Sequence, residues 1–225
     1  MENFEVLFSD EIQSKFPSAC VGIFVIGINQ FNISKEKLSS HTLLIKEQLK
    51  SKFKDHSVLK NDSVIQAYTN YYKLFEKTYH VLPQIESLIF KGKPLYLPIP
   101  MLQIIFLLEM KNRLLTAVHD MAKIEPPIKV GLSSGQETYT LINGSQKTVK
   151  LDDMFTSDRA GVISSIIYGP DSRTKISLKT TEAMIFVYAP SGFNHELIED
   201  HFNDIFLLSK EIYLNPEICY RRIFP

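Results

Sequence analysis

Two runs decide the fold: residues 115–135, LTAVHDMAKIEPPIKVGLSSG, and residues 158–189, DRAGVISSIIYGPDSRTKISLKTTEAMIFVYA. Both are rich in Val, Ile, Thr and Phe, and both are cut into short pieces by Pro126-Pro127, Gly169-Pro170-Asp171 and isolated glycines. β-Branched and aromatic residues suit a pleated, half-buried surface, while Pro and Gly punctuation marks tight turns. The pattern predicts short strands over 115–118, 128–132, 161–168, 173–178 and 183–188, with their turns close together. Between the runs, 138–142 and 148–151 flank Asn143-Gly144, a hairpin signal that suits the two positive-φ positions of a type I′ turn.

Working outward toward the N-terminus, MLQIIFLLEMKNRL (101–114) is apolar nearly all round until Glu109, which predicts a central buried helix. Before it, PQIESLIF predicts a short helix from Pro83 that stops at Gly92, where glycine takes a left-handed cap conformation. Asp62 is placed to cap a helix in which Ile65, Tyr68, Tyr72 and Phe75 share one face. Tyr68, Tyr71, Tyr72 and Tyr79 read either as a base-stacking platform or as core with hydroxyls reaching the rim, and helical spacing favours core. Ser34 precedes Leu38, Thr42, Ile45, Leu49 and Phe53 at helical steps, an amphipathic helix whose terminal KSKFKDH reads as a solvated end. ACVGIFVIGI (19–28) is a strand buried on both faces. On the other side, 191–213 predicts a closing helix with Leu197, Ile198, Phe202, Ile205, Phe206 and Leu208 on its face.

At 225 residues the chain can bury roughly 70% of its unfolded surface without disulfides. No linker or repeat interrupts it, so a single domain over 1–225 is expected. Cys20 and Cys219 have no ligand-spaced partner, and no His/Cys/Asp/Glu pattern predicts a metal or cofactor. Asp152, Asp153, Asp158 and Asp171 read as turn and cap residues rather than a magnesium cluster, and Arg159 and Arg173 as sheet-edge cations. Lys+Arg and Asp+Glu balance at 25 each, which lacks the basic field of a dedicated nucleic-acid binder and leaves room for a local patch. No apolar run spans a bilayer and no signal peptide opens the chain, so a soluble cytoplasmic protein with no membrane or DNA partner is expected. There is no GxSxG elbow, phosphate loop, HExxH or GxGxxG. His119-Asp120 is the most suggestive polar pair, yet neighbours in a strand point to opposite faces and cannot form a dyad.

In order and spacing these segments resemble the B3/B4 domain, the module that carries the editing site in the bacterial phenylalanyl-tRNA synthetase β subunit. AYTNYYKLF (67–75) followed by QIESLIFKGKPL (84–95) is similar to the family's helix and its E-x-L and G-K-x-L-P segment. PMLQIIFLLEMKNRLLTAVHDMAKI (100–124) and the run 158–189 match the later motifs, so the likeness covers about 64–189. It implies an α+β fold of layered, sandwich-like sheets with outer helices, and a pocket that hydrolyses an aminoacyl-tRNA ester with a positioned water. The family's polar pocket positions fall at Phe106, Ala117 and Tyr188, so the resemblance implies a more apolar pocket without tyrosine specificity. Phe106, Ala117, His119, Asp120, Gly169 and Tyr188 form the candidate substrate-binding set, with no catalytic residue assigned. Two functions follow: an editing-like hydrolase acting on tRNA or aminoacyl-tRNA, or a non-catalytic module binding an amino-acid-like molecule, RNA or a protein.

Overall fold

The computed structural model describes residues 4–29 and 33–225; Met1 to Asn3 and residues 30–32 lie outside them. In chain order the elements are β1 (Val6–Phe8), α1 (Glu11–Lys15), β2 (Cys20–Gly27), α2 (Lys35–Lys52), α3 (His56–Lys60), α4 (Ser63–Lys73), α5 (Val81–Ile89) and α6 (Pro100–Asn112). Then follow β3 (Thr116–Asp120), β4 (Ile128–Leu132), β5 (Thr138–Thr140), β6 (Gln146–Thr148), β7 (Met154–Asp158), β8 (Gly161–Ser165), β9 (Gly169–Pro170), β10 (Glu182–Ala189), α7 (His195–Ile212) and β11 (Glu217–Phe224). Helices and several sheets make it a mixed α+β fold.

The strands form a sheet ordered β1-β4-β7-β8-β9, a second ordered β11-β2-β10-β3, and the small pair β5-β6. β2 is interior to its sheet and buried along almost its whole length, as its unbroken apolar run requires. Its outer face carries Gly22 because α7 lies directly on it: a Cβ there would sit 2.6 Å from Ile198 Cγ2 and Phe202 Cζ. The two larger sheets meet where Tyr188 of β10 shares a 2.7 Å hydroxyl contact with Thr156 of β7. One apolar cluster runs from Ile12 to Phe224.

The caps fall where the sequence places them. Ser34 accepts from the Lys37 N–H, and Asp62 accepts from Val64 and Ile65. Gly92 ends the α5 segment with φ 67°, although that helix begins at Val81, two residues before Pro83. The tyrosine stripe is core. Tyr68, Tyr71, Tyr72 and Tyr79 are all buried, and each hydroxyl ties α4 or its following turn to another element. Tyr68 donates to the Tyr188 carbonyl at 2.6 Å and accepts from Leu115 N–H at 3.0 Å. Tyr71 donates to Asp153 at 2.9 Å, Tyr72 to the Ile166 carbonyl at 2.7 Å, and Tyr79 to the Arg113 carbonyl at 2.8 Å.

Four expectations are corrected. The segment 173–178 is not a strand: Asp171 folds it back by accepting from the N–H groups of Arg173 and Thr174, and the Arg173 guanidinium bonds Asp158 and the Lys123 carbonyl. Residues beyond α7, expected to form only a tail after the closing helix, make the eight-residue strand β11, paired antiparallel with β2. The Asn143-Gly144 hairpin is not type I′. Only Gly144 has positive φ, Gly144 N–H bonds the Leu141 carbonyl, and Asn143 instead accepts from Ser145 N–H; this is a three-residue loop with glycine at its left-handed position. Leu197 is 40% exposed, off the buried stripe of α7. The Asp-rich region also contains a strand, β7, whose alternating burial is partly hidden by Thr156 and Asp158, polar residues at buried positions.

Candidate functional site

α6 starts with Pro100 at its first turn, where a missing N–H is harmless, and ends at Arg113, in a left-handed conformation with φ 59°. Nearly every side chain of this helix is buried, including Glu109 at 3% exposure. The turn after α6 delivers β3 as the edge strand of its sheet, antiparallel to β10 with Ala117 opposite Phe186. Ladder hydrogen bonds alternate sides along such a strand. Tyr188 N–H bonds the Leu115 carbonyl on the inner side, while Thr116 N–H turns outward to Glu109 Oε1 at 3.0 Å and Asp120 N–H to the Thr174 carbonyl at 2.7 Å. By the same alternation the Val118 N–H and C=O belong to the outer edge.

Beside that edge lies a cavity of about 570 Å³. Its walls are Ile99, Leu102, Ile105, Phe106 and Glu109 from α6 and its entry; residues 115–118; Tyr188; Ser164 and Ser165; Gly169 and Pro170; 175–177; Ile142 at the hairpin tip; and His80 before α5. The volume suits a molecule of amino-acid size or somewhat larger, and the lining is mostly apolar with a few polar groups, the usual make-up of a small-molecule pocket.

The structure brings Phe106, Ala117, Gly169 and Tyr188 together on this cavity, and it does not bring His119 and Asp120 there. His119 shares the face of Ala117 but is fully buried behind the wall, edge-on to Phe186. Its Nδ1 lies 2.6 Å from Thr174 Oγ1, whose own proton goes to Asp171, so the network assigns the proton to Nδ1. Burial, then the Arg173 charge, holds its pKa at about 3, so the ring is neutral and Nε2 has no partner among the described residues. Asp120 caps the following turn through Ala122 N–H and accepts from Thr180 at 2.9 Å. Its position one residue on from His119 in an extended strand sends it to the other face.

Three further polar groups on the cavity escaped the sequence pattern. Glu109 accepts from Thr116 N–H, and desolvation raises its pKa to about 8. The signal was present: it is the lone carboxylate in a mostly apolar helix. His80 Nδ1 lies 3.2 Å from the Tyr72 hydroxyl, which spends its proton on Ile166 O. The imidazole therefore donates from Nδ1 and keeps Nε2 as an acceptor; burial lowers its pKa, so it is neutral at neutral pH. Ser164 Oγ is buried and makes no hydrogen bond of good geometry among the described residues, although it lies near enough to the Tyr188 phenol to act on its proton. The Tyr188 phenol is pushed up to about 12 by burial, partly offset by the hydroxyls of Ser164 and Thr156, and is a neutral donor or acceptor. Sequence gives no warning of His80 or Ser164, because only tertiary contacts decide which of their atoms are left open.

Among the described residues no group of three His, Cys, Asp or Glu side chains is arranged to hold a metal ion. The Asp-rich loops bind protein donors: Asp158 takes the N–H groups of Glu125, Ala160 and Gly161 and the Arg173 guanidinium. No helix among those residues is long and apolar enough to cross a membrane.

No protein-family model and no curated protein matches the sequence. Among solved structures, the fold is similar to an N-terminal fragment of the phenylalanyl-tRNA synthetase β subunit from Pyrococcus horikoshii. The TM-score is 0.52 at 13% identity, over 100% of this chain and 55% of that one. This chain thus spans about half of that fragment. At that identity the likeness is one of fold.

Proposed function

We propose that the chain is a B3/B4-type, tRNA-editing-like protein whose cavity accepts the aminoacyl end of a tRNA and hydrolyses its ester. The observation that carries this reading is the position of the cavity: it lies between α6, the outer edge of β3 and the β8–β9 turn, and the segments that resemble the editing domain supply Phe106, Ala117, Gly169 and Tyr188 to its wall. Hydrolysis of an activated ester needs a positioned water more than a nucleophilic triad. Neutral His80, with its tautomer fixed by Tyr72, offers Nε2 to take the water's proton. Replacement of the family's polar positions leaves an apolar floor, which suits an aliphatic or aromatic side chain without a reading of a tyrosine hydroxyl.

The test is deacylation of a panel of mischarged tRNAs by the purified protein. Turnover above buffer, lost in His80→Gln, supports the reading. No turnover, together with no tRNA shift at low salt, sinks it. A second reading, a non-catalytic binding module, is favoured by the mostly apolar wall; ligand-induced thermal stabilisation without hydrolysis is its signature.

A further inference from the structure

A buried carboxyl is ordinarily paired with a cation or filled with hydrogen-bond donors, because an unpaired one loses its hydration for nothing. Glu109 has neither arrangement. Its one side-chain bond among the described residues is from the Thr116 N–H to Oε1 at 3.0 Å, and burial and that N–H are what act on its proton; no basic side chain among them does. Lys175, also on the cavity wall, makes no ion pair with it. The rest of α6 shows that this position needs no charge for packing, since its neighbours Leu107, Leu108 and Met110 are buried apolar residues. An apolar cavity with one under-used carboxyl in its wall is complementary to an apolar molecule carrying one ammonium.

We propose that Glu109 is the specificity-determining group of this cavity and that it pairs with the ammonium of an apolar primary amine, the α-ammonium of an aminoacyl group in particular. This rests on the reading of the cavity as the aminoacyl pocket and adds the atom that recognises the ligand. An ester or amide of an amino acid has lost its carboxylate and keeps one positive charge, which is the complement of a carboxyl that no cation of the wall pairs with. On binding, the carboxyl proton passes to solvent and the ammonium takes its place beside Oε1 and Oε2, so one positive charge replaces another and the cavity stays neutral.

The experiment measures binding without turnover, by calorimetry or ligand-observed NMR. The probes are L-phenylalaninamide and L-leucinamide, with their deamino counterparts 3-phenylpropanamide and 4-methylpentanamide. The wild-type chain should bind each amino amide about tenfold or more tightly than its deamino partner, the scale of a charge-assisted hydrogen bond. Glu109→Gln, which keeps an acceptor for the Thr116 N–H and so the fold, should bind the two members of each pair equally. Equal binding by the wild-type chain, discrimination that survives in E109Q, or no binding of any probe overturns the proposal. A chain that discriminates amines yet deacylates no tRNA would defeat the hydrolase reading and leave this one standing.

Discussion

Glu109 and Asp153 are both buried carboxyls, and their surroundings differ in one respect. Asp153, fully buried behind α4, takes the Tyr71 hydroxyl at 2.9 Å and the Ile167 N–H at 3.2 Å. The Tyr71 hydroxyl in turn accepts from Met154 N–H at 2.7 Å, so one carboxyl organises three elements. Glu109 takes a single N–H and faces a cavity of about 570 Å³. Desolvation raises both, Asp153 to about 7 and Glu109 to about 8. A raised pKa therefore does not separate a structural carboxyl from a ligand-reading one. The occupancy of its acceptors does.

The comparison is broken most directly by removing each carboxyl in turn. Asp153→Ala strands the Tyr71 hydroxyl and the Ile167 N–H in the interior, and each stranded donor costs about 1–3 kcal/mol, so a loss of about 3–5 kcal/mol is expected. Glu109→Gln keeps its one bond, has no carboxyl to hold protonated, and should cost no stability. Urea midpoints at pH 6 measure both. Equal losses at the two sites would mean that Glu109 is as structural as Asp153.

The second effect is on pH dependence. Each carboxyl keeps its proton in the folded chain at pH values where the unfolded chain has released it. Each therefore favours folding fully below about pH 4 and loses that contribution as pH rises toward 7 for Asp153 and 8 for Glu109. His119 and His201, both held at about 3 by burial, act in the opposite sense, because unfolded imidazoles take up protons below about pH 6.5. From roughly pH 4.5 to 6.5 the two carboxyls are opposed by these two histidines and by His80, whose pKa burial also lowers. Above that only the carboxyls titrate, and stability should fall by about 2 kcal/mol by pH 8, at about 1.4 kcal/mol per unit per group. Around Glu109 the phenols of Tyr68, Tyr72 and Tyr79 stay protonated over this alkaline range, and His80, lowered from its ordinary value by burial, is neutral there. Glu109→Gln should remove most of that alkaline fall, and a fall of unchanged size in the variant would place the titration elsewhere.

The same distinction explains what was legible in the sequence. Caps, the buried strand at β2 and the buried helix α6 follow from local chemistry: Ser34 and Asp62 have side chains that reach the first N–H groups, and an unbroken apolar run has nowhere to go but inside. Phe106, Ala117 and Tyr188, picked out by register along the segments now seen as α6, β3 and β10, line one cavity. The segment 173–178 looked like a strand because Thr, Ile and Leu alternate there, but Asp171 and Arg173 spend its backbone and side-chain bonds on a turn. β11 was missed because EICYRRIF exposes much of itself at a sheet edge and so shows no clean alternation. His80, Ser164 and the open side of Glu109 are invisible in one dimension. They are defined by which hydrogen bonds are not made, and that is settled only when distant segments meet.

The smallest expected effect tests this last point. Ser164 and Ser165 are neighbours in β8, both on the cavity wall. Ser165 Oγ accepts from Tyr168 N–H at 3.2 Å and contacts the Tyr139 hydroxyl at 3.2 Å, whereas Ser164 Oγ makes no hydrogen bond of good geometry among the described residues and has only the Tyr188 phenol nearby. Removing a hydroxyl that serves two buried groups leaves both under-bonded, so Ser165→Ala should lose about 1 kcal/mol or somewhat more. Removing a hydroxyl that serves none gives up only its own desolvation, so Ser164→Ala should fall within about 0.5 kcal/mol of the wild type, on either side. If the unpartnered hydroxyl instead meets a bound molecule, Ser164→Ala will weaken amide-probe binding while leaving the urea midpoint in place. A clear loss of stability in Ser164→Ala would show that its hydroxyl bonds the protein after all, most directly through the neighbouring Tyr188 phenol, and would move it from the open side of the comparison to the filled one.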